Sequence, residues 1–181
     1  MNKPLLIVVT GSPATGKSTL AHILADKINC PLLSRDQFKE GLINTLGLSH
    51  SQLNRSVDLQ VYETFFETIE LLISKRISLV VEAAFQDKLW RPKLLNLLQQ
   101  AEIKIIICKT AIALTKARFA NRLSDFPERE KFHGDQSLQE EQLASMIENY
   151  QPVNLDVPTL QVDTTQQYEP GIEEIINFIR Q

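Results

Sequence analysis

The stretch Gly11-Ser12-Pro13-Ala14-Thr15-Gly16-Lys17-Ser18-Thr19 leaves this chain few ways to fold. An apolar run, Leu5-Leu6-Ile7-Val8-Val9, precedes it, and Leu20, Ile23, Leu24 and Ile28 follow it at helical spacing. The order is strand, glycine-rich turn, helix, and the turn spells G-x-x-x-x-G-K-[ST], a phosphate-binding loop. Its two glycines let the backbone curl so that successive N–H groups converge on one anion. The helix behind the turn aims its N-terminal N–H groups and its dipole at the same point. Lys17 adds a mobile positive charge for β- and γ-phosphates, and the Ser18 hydroxyl is a hard oxygen ligand suited to Mg²⁺. The stretch predicts binding of a nucleoside triphosphate.

With 181 residues the chain is long enough to bury a sizeable core, and we expect a single domain over 1–181. A formal net charge of −3 argues against a surface that coats nucleic acid, although a local basic cleft is compatible with it. Cys30 and Cys108 show neither metal-ligand spacing nor a disulfide framework, which points to a reducing cytoplasm. His22, His50 and His133 are scattered, so no zinc site is readable. The run after Lys3 is shorter than a secretion signal needs, and the glycine-rich turn falls where cleavage would occur. No later run has the length of a membrane span, and no membrane partner is expected.

Pro31-Leu32-Leu33 reads as a second strand, ending in the polar cluster Ser34-Arg35-Asp36. Ligands of open α/β sheets bind at that edge, so Asp36 reads either as a functional carboxylate or as a helix N-cap. Residues 36–48 read as a short helix ended near Gly47, and Leu53 to Ile73 as a long amphipathic one. Ile77–Val81 is the third strand, with Glu82 at its end. The next helix spans roughly 87–101, and Pro92, which fits a first turn best, moves the expected start toward Arg91. Ile103–Cys108 is a fourth strand, followed by a helix from Ile112 to Leu123 with Arg118 and Arg122 on one face. Residues 124–136 break every periodicity and read as a surface loop of lid-like length, carrying Arg129. A helix from Ser137 to Tyr150, a fifth strand at Thr159–Asp163 and a closing helix through Ile172 and Ile179 complete the chain. Alternating strands and helices mean an α/β fold, a parallel sheet covered on both faces, with the first strand central at the switch point.

A regulatory GTPase would need an N-K-x-D segment after a strand; Asn121-Arg122-Leu123-Ser124-Asp125 has the wrong spacing and follows a helix. A mechanical ATPase of the AAA type carries an added helical domain for which the chain is short. A small phosphotransferase needs a nucleotide site, an acceptor site and an arginine-bearing lid, and each has candidates here.

Gly11–Thr19, Leu33–Lys39, Val80-Val81-Glu82-Ala83-Ala84-Phe85 with Trp90-Arg91, and Arg118 with Arg122 together resemble the small P-loop kinases. Within these the chain is most similar to the AAA_33-like "predicted kinase" group allied to polynucleotide 5′-hydroxyl kinases, chloramphenicol phosphotransferase and zeta toxins. The resemblance implies a three-layer fold with strand order 2-3-1-4-5 and γ-phosphoryl transfer from ATP, with Mg²⁺, to an acceptor hydroxyl. It implies that Asp36 orients and deprotonates the acceptor and that Lys39 holds part of the substrate. An arginine at that position would grip a phosphate bidentately, whereas Lys39 supplies a point charge. Glu82 stands where a carboxylate orders Mg²⁺-bound water, and the role of base is open to it as well. Arg118 and Arg122, with Lys17, would complete the clamp on the moving phosphoryl group; the plainer reading of the arginines is solvated charge at a helix end. The acidic balance and the lack of basic–aromatic interleaving favour a small-molecule hydroxyl over a nucleic-acid 5′-hydroxyl. A non-kinase ATPase or a nucleotide-binding module is the remaining alternative.

Overall fold

Five apolar runs become five strands in the computed structural model, which describes residues 3–135 and 140–181. They are Leu5–Thr10 (β1), Leu32–Ser34 (β2), Leu79–Glu82 (β3), Glu102–Lys109 (β4) and Thr159–Asp163 (β5). All pair in parallel in the order β2-β3-β1-β4-β5, as the resemblance implied. The helices are Lys17–Ile28 (α1), Arg35–Leu46 (α2), Arg55–Ser74 (α3), Asp87–Leu97 (α4), Ile112–Asp125 (α5), Glu130–His133 (α6), Glu140–Glu148 (α7) and Ile172–Arg180 (α8).

Successive side chains of a strand point to opposite faces, so β1 feeds two cores at once. Leu6 and Val8 pack with Phe65 and Phe66 of α3 and Trp90 of α4. Ile7 and Val9 pack with Leu20 and Leu24 of α1 and with Ile175 and Ile179 of α8. Each such side chain contributes about 1.5–3 kcal/mol on burial, and the buried polar residues of β1 and β3, Thr10 and Glu82, stand at the carboxyl ends of the strands. Lys104 of β4 is a charged residue buried within a strand, only 3% exposed. Its Nζ donates to Phe178 O at 3.1 Å and Ile179 O at 3.0 Å, carbonyls of the last turn of α8 that no helix N–H can reach. Among the described residues no helix is long and apolar enough to cross a membrane.

Two expectations are corrected. The fourth helix starts at Asp87, not near Arg91, and ends at Leu97, with Pro92 inside it. Trp90, Leu94 and Leu97 form its buried inner face, while Asp87 N donates to Gln151 O at 3.0 Å and Asp87 Oδ1 accepts from Asn154 N at 2.8 Å. Tertiary anchors at the first turn and along the core face outweigh the N–H that Pro92 lacks. Residues 124–135 are not one irregular loop: α5 runs to Asp125, Pro127–Arg129 is a 3₁₀ turn and α6 follows to His133. Docking onto α2 supplies the order that periodicity lacks, with Lys131 Nζ donating to Asn44 Oδ1 at 2.8 Å and His133 Nε2 lying 2.8 Å from Glu40 Oε1. Gln136 and the expected helix start at Ser137 lie outside the described residues.

Candidate functional site

The turn between β1 and α1 is built by backbone geometry first. Ala14 and Gly16 have φ of 59° and 78°, which alternates the chain through the left-handed region and turns N–H groups inward. At Gly11 an added Cβ would meet the Thr15 hydroxyl and stand 2.7 Å from Cys108 O, so the close approach of the turn to β4 admits only glycine. Thr15 Oγ1 donates to Ser12 O at 2.8 Å, and Thr164 Oγ1, from the segment after β5, donates to Thr15 O at 2.7 Å. The cradle is thus held from inside and from the far strand.

Two cavities open at the carboxyl ends of the strands. The first, about 720 Å³, is floored by Ala14, Gly16, Ser18 and Thr19 and walled by Arg118 and by Gln166 to Tyr168. The second, about 590 Å³, is bounded by Pro13, Arg35, His50, Glu82 and Ala84 and by the segment His133–Asp135. Lys17, Asp36, Arg122 and Arg129 border both. Two cavities that share a charged wall suit a group passing from one ligand to another.

Asp36 sits at the second helical position of α2, with Ser34 at the cap position. The Ser34 hydroxyl does not cap the helix; it donates to Glu82 Oε2 at 2.7 Å. The other Glu82 oxygen lies 3.8 Å from Lys17 Nζ, and Glu82 is 2% exposed. Its carboxylate is therefore committed on both sides. The Asp36 side chain is 47% exposed, with Arg35 Nη1 4.0 Å from its Oδ1. The crowded cleft pushes the Asp36 pKa up, but His133, Lys17, Arg35 and Arg129 outweigh that and hold it below its ordinary value. Lys39 lines neither cavity: it is 8% exposed, with Nζ 3.2 Å from His50 Nδ1, and His50 is what faces the second cavity. Burial lowers the Lys39 pKa, with Asp58 opposing.

The arginines read as a pair on α5 separate in space. Arg118 borders the first cavity only and donates to Thr164 O at 2.6 Å and Thr165 O at 3.2 Å. Arg122 reaches the shared wall, packs its guanidinium over Phe119 and lies 3.2 Å from Asp135 Oδ2. Burial lowers its pKa and Asp135 raises it. Arg129 brings Nε to 3.4 Å from the same oxygen and Nη1 to 3.8 Å from Glu40.

Gly134 closes this segment at φ 64°, and any Cβ there would run into the His50 ring. A left-handed conformation costs a non-glycine residue roughly 1–2 kcal/mol before that collision. Gly134→Ala is therefore expected to free residues 126–135 from α2: limited proteolysis should cut there much faster, with MgATP affinity nearly unchanged.

A divalent cation fits the donor set in one way. Ser18 is exposed at the start of α1 and lines the first cavity, so it and phosphate oxygens would be the direct ligands. Glu82, bonded to Ser34 and Lys17, fits ordering of a metal-bound water better than direct ligation. Among the described residues no group of three His, Cys, Asp or Glu side chains could hold a metal.

Sequence reasoning missed Glu40, Asp135 and the segment Thr164–Tyr168. The last had one available signal, its place at the carboxyl end of a parallel strand. Glu40 had none, because His133 and Arg129 reach it from elements far along the chain. Asp135 had none, because its partners meet it only when the segment after α5 folds back.

A family model described as an AAA domain, AAA_33, matches residues 6–153. Among solved structures, a protein of Chloroflexus aurantiacus assigned as a kinase is 28% identical, with TM-score 0.82 over 99% of this chain and 96% of that one. A gluconokinase of Sinorhizobium meliloti is 18% identical, with TM-score 0.62 over 99% and 94%. The APS kinase of Mycobacterium tuberculosis, solved with AMPPNP and APS, is 14% identical, with TM-score 0.66 over 100% of both chains. The latter two share the fold. No curated protein matches the sequence.

Proposed function

The chain belongs to the AAA_33 family, and from that premise we propose that it is a single-domain, cytoplasmic, ATP-dependent kinase that phosphorylates a hydroxyl of a small molecule. One observation carries this reading: Lys17, Asp36, Arg122 and Arg129 border both the cavity over the phosphate-binding turn and the cavity beside it. The nucleotide occupies the first, its phosphates on Gly11–Thr19 and its far end toward Arg118 and Tyr168. The acceptor occupies the second, whose volume of about 590 Å³ lies within the roughly 300–1,000 Å³ usual for small-ligand sites.

The acceptor oxygen attacks the γ-phosphorus, the bond to the β-bridging oxygen breaks, and ADP leaves. Asp36, ionised and only loosely paired, takes the hydroxyl proton. Lys17 and the arginines of the shared wall meet the charge on the phosphoryl oxygens. Mg²⁺, held by Ser18 with Glu82 behind it, would neutralise charge on the β- and γ-oxygens. The unpaired Cys30 and Cys108 fit a reducing compartment.

The test is transfer of label from γ-labelled ATP. A mixture of hydroxyl-bearing metabolites should yield a labelled small product that depends on Asp36. Label on an oligonucleotide 5′ end alone would replace the acceptor class. Release of free phosphate whatever is added would make the chain an ATPase.

A further inference from the structure

Arg122 and Arg129 approach one carboxylate oxygen from two different elements. Arg122, on α5, places Nη2 3.2 Å from Asp135 Oδ2, and Arg129, in the 3₁₀ turn, places Nε 3.4 Å from that oxygen. Asp135 is 8% exposed and borders the second cavity but not the first. Two guanidinium groups share that carboxylate at the wall between the cavities, and Glu40, 3.8 Å from Arg129 Nη1, is a second carboxylate beside Arg129. Among the described residues, the buried Nε of Arg122 has no hydrogen-bond partner. Buried donors are normally satisfied, so an orphan on a guanidinium that borders both cavities marks a place that a further anion completes.

Resting on the kinase reading, we propose that Asp135 is a positioning residue for phosphoryl transfer, ordering the Arg122 and Arg129 guanidiniums so that their remaining donors face the transferring group. Asp135 touches no reacting atom in this arrangement; it acts through the arginines. Long, flexible side chains lose much of their freedom when they close on a transition state, and a carboxylate behind them fixes them beforehand. Asp135 is itself held in place, since Gly134 next to it lies against His50 and His133 lies 2.8 Å from Glu40. The neighbouring groups Asp36 and Lys17 belong to the same wall but do not contact Asp135 within ion-pair distance. Asp135 is therefore the carboxylate that the two arginines share.

The experiment compares affinity for MgADP alone with affinity for MgADP plus aluminium fluoride, a mimic of the phosphoryl group in flight. The wild-type chain is expected to tighten by about 100-fold or more on adding fluoride, as transition-state mimics do. Asp135→Asn should bind MgADP as the wild type does and lose about tenfold or more of that tightening, because only the transfer geometry needs the arginines. Arg122→Ala should lose a similar factor, and the double variant less than the product of the two, since Asp135 works through Arg122. A purely structural role would lower thermal stability without separating the two affinities. Equal tightening in Asp135→Asn, or losses that multiply fully, would overturn the assignment. Asp135→Ser carries the same expectation should Asn destabilise the fold, and loss of MgADP binding by both would overturn it in favour of a structural role. A wild type that binds MgADP but gains nothing from fluoride overturns the kinase reading, and this inference with it.

Discussion

Lys17→Ala is expected to abolish detectable MgATP binding while the chain stays folded. Lys17 opens α1 at the rim of the turn and borders both cavities, so its ammonium stands within the phosphate-binding turn itself. Losing a charge-assisted contact to a polyanion in a low-dielectric cleft is worth about 3 kcal/mol or more, hence at least about a hundredfold in Kd. The fold has less at stake. The Lys17 side chain is 14% exposed and its ion pair with Glu82 is 3.8 Å long. Glu82 keeps the Ser34 hydroxyl after the substitution, so the carboxylate is not left without a donor. A modest fall in Tm is the expected structural effect. Calorimetric titration with MgATP decides the matter, read beside the circular dichroism of the same variant. Unchanged affinity in a folded variant would remove the basis for placing phosphates on this turn.

Most of the fold was legible because its signals are local. β1 reads as a strand from five consecutive apolar residues, and the sheet buries them on both faces. Gly47 ends α2 at φ 67°, the left-handed conformation a C-terminal glycine supplies. The errors arose where distant contacts overrule local preference. Pro92 looks like a helix start by itself, but Asp87 is tied to Gln151 and Asn154, and Trp90 is packed into the aromatic core. The charged segment after Ser124 has no helical stripe, yet it forms two short helical turns because α2 offers Glu40 and Asn44, and the segment after α2 the His50 ring, to dock on.

The candidate site was legible at the turn and less so around it. A phosphate cradle is made of consecutive backbone groups, so nine adjacent residues describe it. That Ala14 as well as Gly16 takes a positive φ could not be read from a residue type that rarely does so. The shared wall is assembled from α1, α2, α5 and the 3₁₀ turn, and its composition depends on how those elements meet. Arg118 and Arg122 illustrate this. Their four-residue spacing puts them on one helix face, yet the segment after β5 holds the first and Asp135 the second. Lys39 is the opposite case: burial behind His50 takes it off the surface that its position near Asp36 suggests.

Asp36→Asn separates the two carboxylates that compete for the role of base. Positioned general bases contribute roughly 10²–10⁴-fold, and the amide cannot take a proton, so turnover should fall by about a hundredfold or more. MgATP affinity should hold, because the cradle and Lys17 remain. Stability should hold as well: the side chain is half-exposed, Arg35 approaches it only to 4.0 Å, and the cap position belongs to Ser34. The geometry favours Asp36 over Glu82, since Glu82 has one oxygen bonded to Ser34 and the other facing Lys17, whereas Asp36 borders both cavities. The pH profile supplies a second readout. His133, Lys17, Arg35 and Arg129 hold the Asp36 pKa below its ordinary value despite the crowding that opposes them. Its reference value is about 3.9, and a base is active above its pKa, so the acid limb of kcat/KM should lie below about pH 4 and the rate should stay flat through neutrality. An acid limb near neutrality would point to a different base. A variant that keeps most of its turnover would pass the role to Glu82, and Glu82→Gln would then have to abolish transfer without loosening the nucleotide.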